Sequence, residues 1–194
     1  RSALKLDVKQ KADFEAALAA VLGHWGELHV AVNNAAMTPT TPVMQITAQE
    51  FDEVIAVNLR GTLFGCQVFG AHMAGAKYGR LINLASLAGQ NGGTASGAHY
   101  ASSKGAILTL NKIFARELAA SNVTVNAIAP GPMDLPSVRA AVPPERLEKL
   151  MEMIPVRRLG DAGFVADLVV LLASPTAFFT TGAAWDINGG IFMR

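Results

Sequence analysis

Short apolar runs alternating with long helical patterns constrain this chain more than any other feature of it. Ala3–Val8, His29–Val32, Leu81–Leu84 and Val123–Ile128 each have the length and composition of a strand. The stretches between them carry apolar residues at helical spacing. A helix from about Lys11 to Leu22 would put Phe14, Ala17, Leu18 and Val21 on its inner face and stop at Gly23. Thr47 and Glu50 form a capping box for a second helix, with Ile46 placed to staple against Phe51. Its apolar positions run through Val54, Ile55, Leu59, Leu63, Phe64 and Val68 to about Ala74. A third helix opens near Tyr100 and carries Ile107, Leu108, Leu110, Ile113, Phe114 and Leu118. Asp161 caps a fourth, Ala162–Ala173. Strands alternating with helices stack as βαβ units, so the expected fold is a parallel sheet with helices on both faces. Ligands of such sheets bind outside the carboxyl ends of the strands. Asp7, Asn33, Ser86 and Pro130-Gly131 each follow a strand there.

The candidate chemistry sits in Tyr100-Ala101-Ser102-Ser103-Lys104. Residues four apart share a helix face, so the Lys104 ammonium can stand beside the Tyr100 phenol. A free tyrosine, with a pKa of about 10, exchanges protons poorly at neutral pH. A neighbouring positive charge favours the phenolate and would bring that pKa down. The ordinary reading of the same pair is a surface Tyr and Lys on an amphipathic helix, and by itself the spacing is weak.

The 194 residues suffice for one domain, read here as spanning 1–194. A net charge of +1 argues against a nucleic-acid partner held through counterion release. The most apolar stretch, FVADLVVLLASPTAFF, is broken by Asp167 and Pro175 and is too short to span a bilayer. No membrane partner is expected, and the expected setting is cytoplasmic. Cys66 has no second cysteine to pair with and reads as a small core residue. His24, His29, His72 and His99 share no metal-ligand spacing, and His99 reads as a pocket wall or surface residue.

Asn33-Asn34-Ala35-Ala36, Asn58, Ser86, Tyr100 with Lys104, Pro130-Gly131 and Asp186-Ile187-Asn188-Gly189-Gly190 occur in this order along the chain. Together they resemble the short-chain dehydrogenase/reductase family over essentially the whole length, nearest to its 3-oxoacyl-acyl-carrier-protein reductase-like members. The resemblance implies an α/β, Rossmann-like doubly wound parallel sheet and an NAD- or NADP-dependent hydride transfer with a carbonyl or secondary alcohol. It implies that Tyr100 exchanges the proton, that Ser86 stabilises the substrate oxygen, and that Lys104 lowers the tyrosine pKa and holds the nicotinamide ribose. Asn58 would interrupt its helix and position a water in a proton relay. Cofactor contacts would come from Asp7 and Val8 to adenine, from Asn33 and Ala35 on the ribose and phosphate side, and from Pro130, Gly131 and Met133 around the nicotinamide. A 3-oxoacyl thioester and a small alcohol, polyol or sugar are both open as substrate. A catalytically idle relative acting as a sensor or structural subunit is the competing reading.

The sequence departs from the family at three places. The Gly-rich Thr-Gly-x-x-x-Gly-x-Gly loop does not occur in it, so the sheet is expected to lack its first two strands and to belong to a longer chain. Leu135 stands where the family often has threonine, with Asp134 beside it, and the Ser86-to-Tyr100 loop is one residue longer than the commonest spacing. Residues 132–160, broken by Pro136, Pro143 and Pro144, are the expected substrate lid. Leu147, Leu150, Met151, Met153 and Ile154 would either line an apolar pocket or pack on the body. Arg139, Arg146, Arg157 and Arg158 could meet an acidic carrier or simply be solvated. Phe69, Met73 and Phe114 look surplus to one sheet-facing stripe, which with the family resemblance suggests a homotetramer or dimer.

Overall fold

A computed structural model describes residues 2–93 and 97–193. Four strands, β1 (Val30–Asn33), β2 (Gly79–Leu84), β3 (Val123–Pro130) and β4 (Ala184–Ile187), form one sheet in the order β1-β2-β3-β4. All three pairings are parallel. The two central strands are buried on both faces, as parallel strands between helical layers require. Leu81 and Val125 belong to one face, Ile82 and Ile128 to the other, and none is more than 1% exposed.

One face carries α1 (Lys11–Trp25), α3 (Gly61–Ala76) and α5 (Ala98–Leu118). Phe14 of α1 meets Phe69 of α3 edge to face at 5.7 Å. The cluster of Met73, Leu81, Ala115, Leu118, Val123 and Val125 lies beneath, with Phe69 and Phe114 packed against it. Met73 is therefore a core residue, and the two phenylalanines are partly buried against the same cluster. The opposite face carries α8 (Ala162–Ala173), whose Leu168 and Leu172 cover Ile82 and Ile128. On that face Arg80, 1% exposed, points its guanidinium at the carbonyls of Gly79, Ser174, Asn122 and Pro175.

Two expectations about elements fail. Ala3–Val8 is not a strand. Asp7 instead opens a turn into α1, where its carbonyl accepts Gln10 N–H at 2.9 Å and its own N–H donates to Asp13 Oδ2 at 2.8 Å. A strand needs a neighbour to satisfy its backbone groups, and β1, the nearest in sequence, pairs with β2. The first helix also runs on to Trp25, and Gly26, at φ 82°, ends it in place of Gly23. The left-handed cap decides the stop, and Gly23 lies inside the helix, where glycine is merely tolerated.

The long helix after Thr47 is continuous but not uniform. It runs as α2 (Ala48–Ile55), a π turn (Ala56–Arg60) and α3. Thr47 Oγ1 accepts Glu50 N–H at 3.1 Å, as the capping box requires. The stretch Ala48–Ala76 is long and apolar enough to cross a membrane by length and composition, but half of it is buried inside the fold.

Candidate active site

The π turn sets up the site by turning Asn58 inwards. Asn58 is 0% exposed, and its side chain is saturated. Its Oδ1 accepts Met37 N–H at 2.7 Å, while Nδ2 donates to Met37 O at 2.9 Å and to Ser103 Oγ at 3.0 Å. Ser103 in turn donates to Tyr100 O at 2.7 Å. The helix interruption thus ties the loop after β1 to the first turns of α5. A π bulge inside an α-helix is a frequent companion of functional sites because it re-aims one side chain.

Ser86 follows β2 and is held there by ladder bonds that outlast the strands. Ala85 N–H donates to Ile128 O at 2.8 Å and Leu87 N–H to Pro130 O at 2.9 Å, so the Ser86 turn and Pro130 lie side by side. The Ser86 hydroxyl accepts Ala88 N–H at 3.1 Å and lies close enough to the Tyr100 phenol to favour its ionised form. Lys104, one helical turn further on, is 3% exposed; its Nζ donates to Leu84 O at 2.5 Å and lies 5.8 Å from the Tyr100 ring centre. Ser86, Tyr100, Lys104 and Asn58 therefore converge outside the carboxyl end of β2.

The electrostatics differ from the sequence expectation. Burial pushes the Tyr100 phenol above the ordinary tyrosine value, and the neighbouring Ser86 hydroxyl opposes that only in part. Burial also pushes the Lys104 ammonium down, to about 8. Low dielectric penalises both charged forms, and at Tyr100 it outweighs the opposing effect of Ser86.

Close approach of backbones makes this convergence possible. A Cβ on Gly89, in the short helix α4 (Ala88–Asn91), would stand 2.5 Å from Gly105 N and Lys104 C. Only two glycines facing each other let the Ser86 loop touch α5 at Lys104. The Gly89–Gly105 pair escaped the sequence reading, which had no means of knowing that the two would meet. The stretch 94–96 of the longer Ser86-to-Tyr100 loop lies outside the described residues.

The expected cofactor contacts are placed less uniformly. Asn33 Nδ2 donates to Asn83 Oδ1 at 2.8 Å, and Asn83 Nδ2 donates to Asn111 Oδ1 at 3.2 Å, which makes a buried amide chain across the helical face. The Asn33 side chain is thus turned into the fold, and Ala35 lies in the loop that Asn58 holds at Met37. Cys66 sits against this chain, and burial pushes its thiol up to about 12, which leaves it inert. Gly131 N–H donates to Ile187 O at 2.7 Å, joining the end of β3 to that of β4. Met133 pairs with Gly160 in an isolated parallel bridge that joins the two ends of the 132–160 segment. Val8 packs against Gly61 at the start of α3, and Asp7 belongs to the turn into α1.

The segment 132–160, expected to be a lid, carries α6 (Pro136–Ala141) and α7 (Pro144–Met153). Leu147 and Ile154 are buried and Met153 is 59% exposed, so the apolar face of α7 largely packs on the body. Ile154 also borders a cavity of about 410 Å³ between Pro132, Phe164 and Asn188. Asp134 is occupied by Arg139, with contacts of 2.5 and 2.6 Å. His99 is fully buried, against the reading of a pocket wall or surface position, because Glu50 receives its ring.

A parallel sheet with Ser, Tyr and Lys gathered beyond its carboxyl edge, and with an Asn on an interrupted helix, defines a class of oxidoreductase. The chain belongs to the short-chain dehydrogenase/reductase family: a family model described as enoyl-(acyl carrier protein) reductase matches residues 1–191. Among individual proteins it is similar to a 3-oxoacyl-[acyl-carrier-protein] reductase of Staphylococcus aureus, 35% identical over 191 residues that cover 98% of this chain and 77% of that one. A sorbitol dehydrogenase of Cereibacter sphaeroides is 31% identical over 202 residues, covering 98% and 78%. A 2-(R)-hydroxypropyl-CoM dehydrogenase of Xanthobacter autotrophicus is 35% identical over 195 residues, covering 96% and 76%. These names support an oxidoreductase role and differ in substrate.

Proposed function

We propose that this chain is an NAD(P)-dependent oxidoreductase in which Tyr100 exchanges a proton with the oxygen of a carbonyl or secondary alcohol. The observation that carries the reading is the Tyr100 phenol beside Ser86, with the buried Lys104 Nζ 5.8 Å from its ring. The residues suit the nicotinamide riboside end of a dinucleotide. Lys104 has three N–H donors, of which Leu84 O takes one, and a ribose diol offers the acceptors for the rest. Pro130, Gly131 and Met133 would wall the ring, and Asn33 and Ala35 would border the adenosine side. Asp7 and Val8 would reach the adenine. When bound, the nicotinamide supplies or accepts the hydride.

Everything else falls to the chain. In reduction Tyr100, protonated throughout the neutral range because burial raises its pKa, donates to the oxygen that gains charge. Ser86 donates a second hydrogen bond to the same oxygen and stabilises the developing alkoxide. In oxidation Tyr100 must first pass its own proton to water, and the phenolate so formed takes the alcohol proton; a charged Lys104 favours that phenolate. Asn58 holds the π turn from which a water relay to Lys104 would start. The lid at 132–160 would close over substrates of the 3-oxoacyl thioester or small alcohol and sugar classes. The setting would be cytoplasmic, with neither nucleic acid nor membrane as partner. The assembly would be a homotetramer or dimer, with Phe51 and Ile113 exposed on the helices that would pair. A dinucleotide sensor or structural subunit is what remains if no hydride transfer is found.

The experiment is Tyr100→Phe assayed with NADPH and acetoacetyl-CoA, and with NAD and sorbitol. A loss of at least about a hundredfold in turnover, with cofactor affinity little changed, is expected for a removed proton-transfer group. Retention of most of the activity would reject the mechanism.

A further inference from the structure

The residue before Tyr100 has no part in the chemistry just described, yet it is one of the most deeply placed polar side chains in the molecule. His99 is 0% exposed. Its Nε2 lies 3.2 Å from Glu50 Oε1, and the same oxygen accepts the Thr41 hydroxyl at 2.6 Å. Those two partners hold the Glu50 carboxyl below its ordinary range, the Thr41 hydroxyl most strongly. Glu50 is itself fixed in the first turn of α2 by Thr47. Two residues before His99, Gly97 N–H donates to Pro39 O at 3.0 Å.

The loop after β1 is therefore fastened to the first turn of α5 in two places. Met37 is held through Asn58 and Ser103, which reach the Tyr100 carbonyl. Pro39 and Thr41 are held through Gly97, Glu50 and His99. Sterics leave the imidazole no alternative place, since a Cβ on Gly97 would stand 2.3 Å from His99 Cε1 and 2.6 Å from Nδ1. Among the described residues Nδ1 is buried without a hydrogen-bond partner. An apolar ring would fill this space without leaving a polar atom unsatisfied, so packing alone does not account for a histidine here. The Glu50 contact does.

We infer that His99 is a positioning residue: through Glu50 it clamps the 37–42 loop onto the first turn of α5 and so holds the Tyr100 phenol in place beside Ser86. The inference rests on the proton-exchange role proposed for Tyr100, but its first test does not need turnover. In a Tyr78→Phe background Tyr100 is the single tyrosine of these 194 residues, and its ultraviolet phenolate absorbance gives its titration midpoint directly. His99→Ala should admit solvent and bring the midpoint down from its raised value towards that of free tyrosine. Gly97→Ala, which removes no polar group, should do the same by displacing the ring. His99→Gln keeps an amide N–H near the place of Nε2 and should restore the parental midpoint. With NADPH and acetoacetyl-CoA, His99→Ala should lower kcat roughly ten- to a hundredfold, the scale for a misplaced catalytic group, and leave KM nearly unchanged.

An unmoved midpoint in both His99→Ala and Gly97→Ala overturns the clamp, and so does His99→Gln behaving like His99→Ala. Should His99→Ala fail to fold, Gly97→Ala and Glu50→Gln decide by the same midpoint. If Tyr100→Phe kept its turnover, the proton-exchange reading would fall while the titrations still judged the clamp.

Discussion

Replacing Lys104 by methionine should make the protein's stability respond to pH in a way that isolates one buried charge. Lys104 is 3% exposed, and burial lowers its pKa from the ordinary 10.5 to about 8. At about 1.4 kcal/mol per pH unit, the folded state holds the ammonium at a cost on the order of 3 kcal/mol. Below pH 8 both folded and unfolded chains keep the proton, and the cost is constant. Between about 8 and 10.5 the folded chain releases it while the unfolded chain retains it. The unfolded state then binds more protons, so stability rises with pH. Lys104→Met has no such proton, and it loses the bond to Leu84 O at a pH-independent cost of about 1–3 kcal/mol. Urea unfolding of the two proteins from pH 7 to 10.5 gives their difference, in which groups away from Lys104 cancel. That difference should move in favour of the wild type by on the order of 3 kcal/mol, nearly all of it above pH 8. A difference that stayed flat across the range would refute the reasoning, since Lys104 would then hold its proton as readily folded as unfolded.

Gly89→Ala should destabilise the chain by about 1–3 kcal/mol, because the added methyl meets α5 backbone and has no flexible side chain to push aside. It should also lower turnover by parting the Ser86 loop from Lys104, which steady-state kinetics would detect. Arg80→Ala should cost about 3–5 kcal/mol in urea unfolding, since it empties a buried site and strips four carbonyls of their donor. Asp161→Ala should cost about 1 kcal/mol, through loss of the 2.8 Å bond from Gly163 N–H that caps α8.

What the sequence by itself determined follows from local geometry. Apolar residues at periods of two and 3.6 mark strands and helices whatever surrounds them, so the alternation was enough for a parallel sheet between helical layers. The capping box at Thr47 and the cap at Asp161 were legible for the same reason, as was the pairing of Tyr100 with Lys104 on one face. The family motifs put Asn58 and Ser86 beside that pair. The remainder depended on partners far away in the chain. Ala3–Val8 has strand composition, but a strand exists only where a neighbour takes its hydrogen bonds. Phe69, Met73 and Phe114 looked surplus until α1 and the sheet covered them. His99 looked like a wall residue until Glu50, 49 positions earlier, received its ring. The direction of the Tyr100 shift also lay beyond the sequence. The nearby cation could be read from the spacing, but the burial that raises the pKa is a property of the whole fold, because desolvation depends on everything packed around a group and not on its neighbours in the chain.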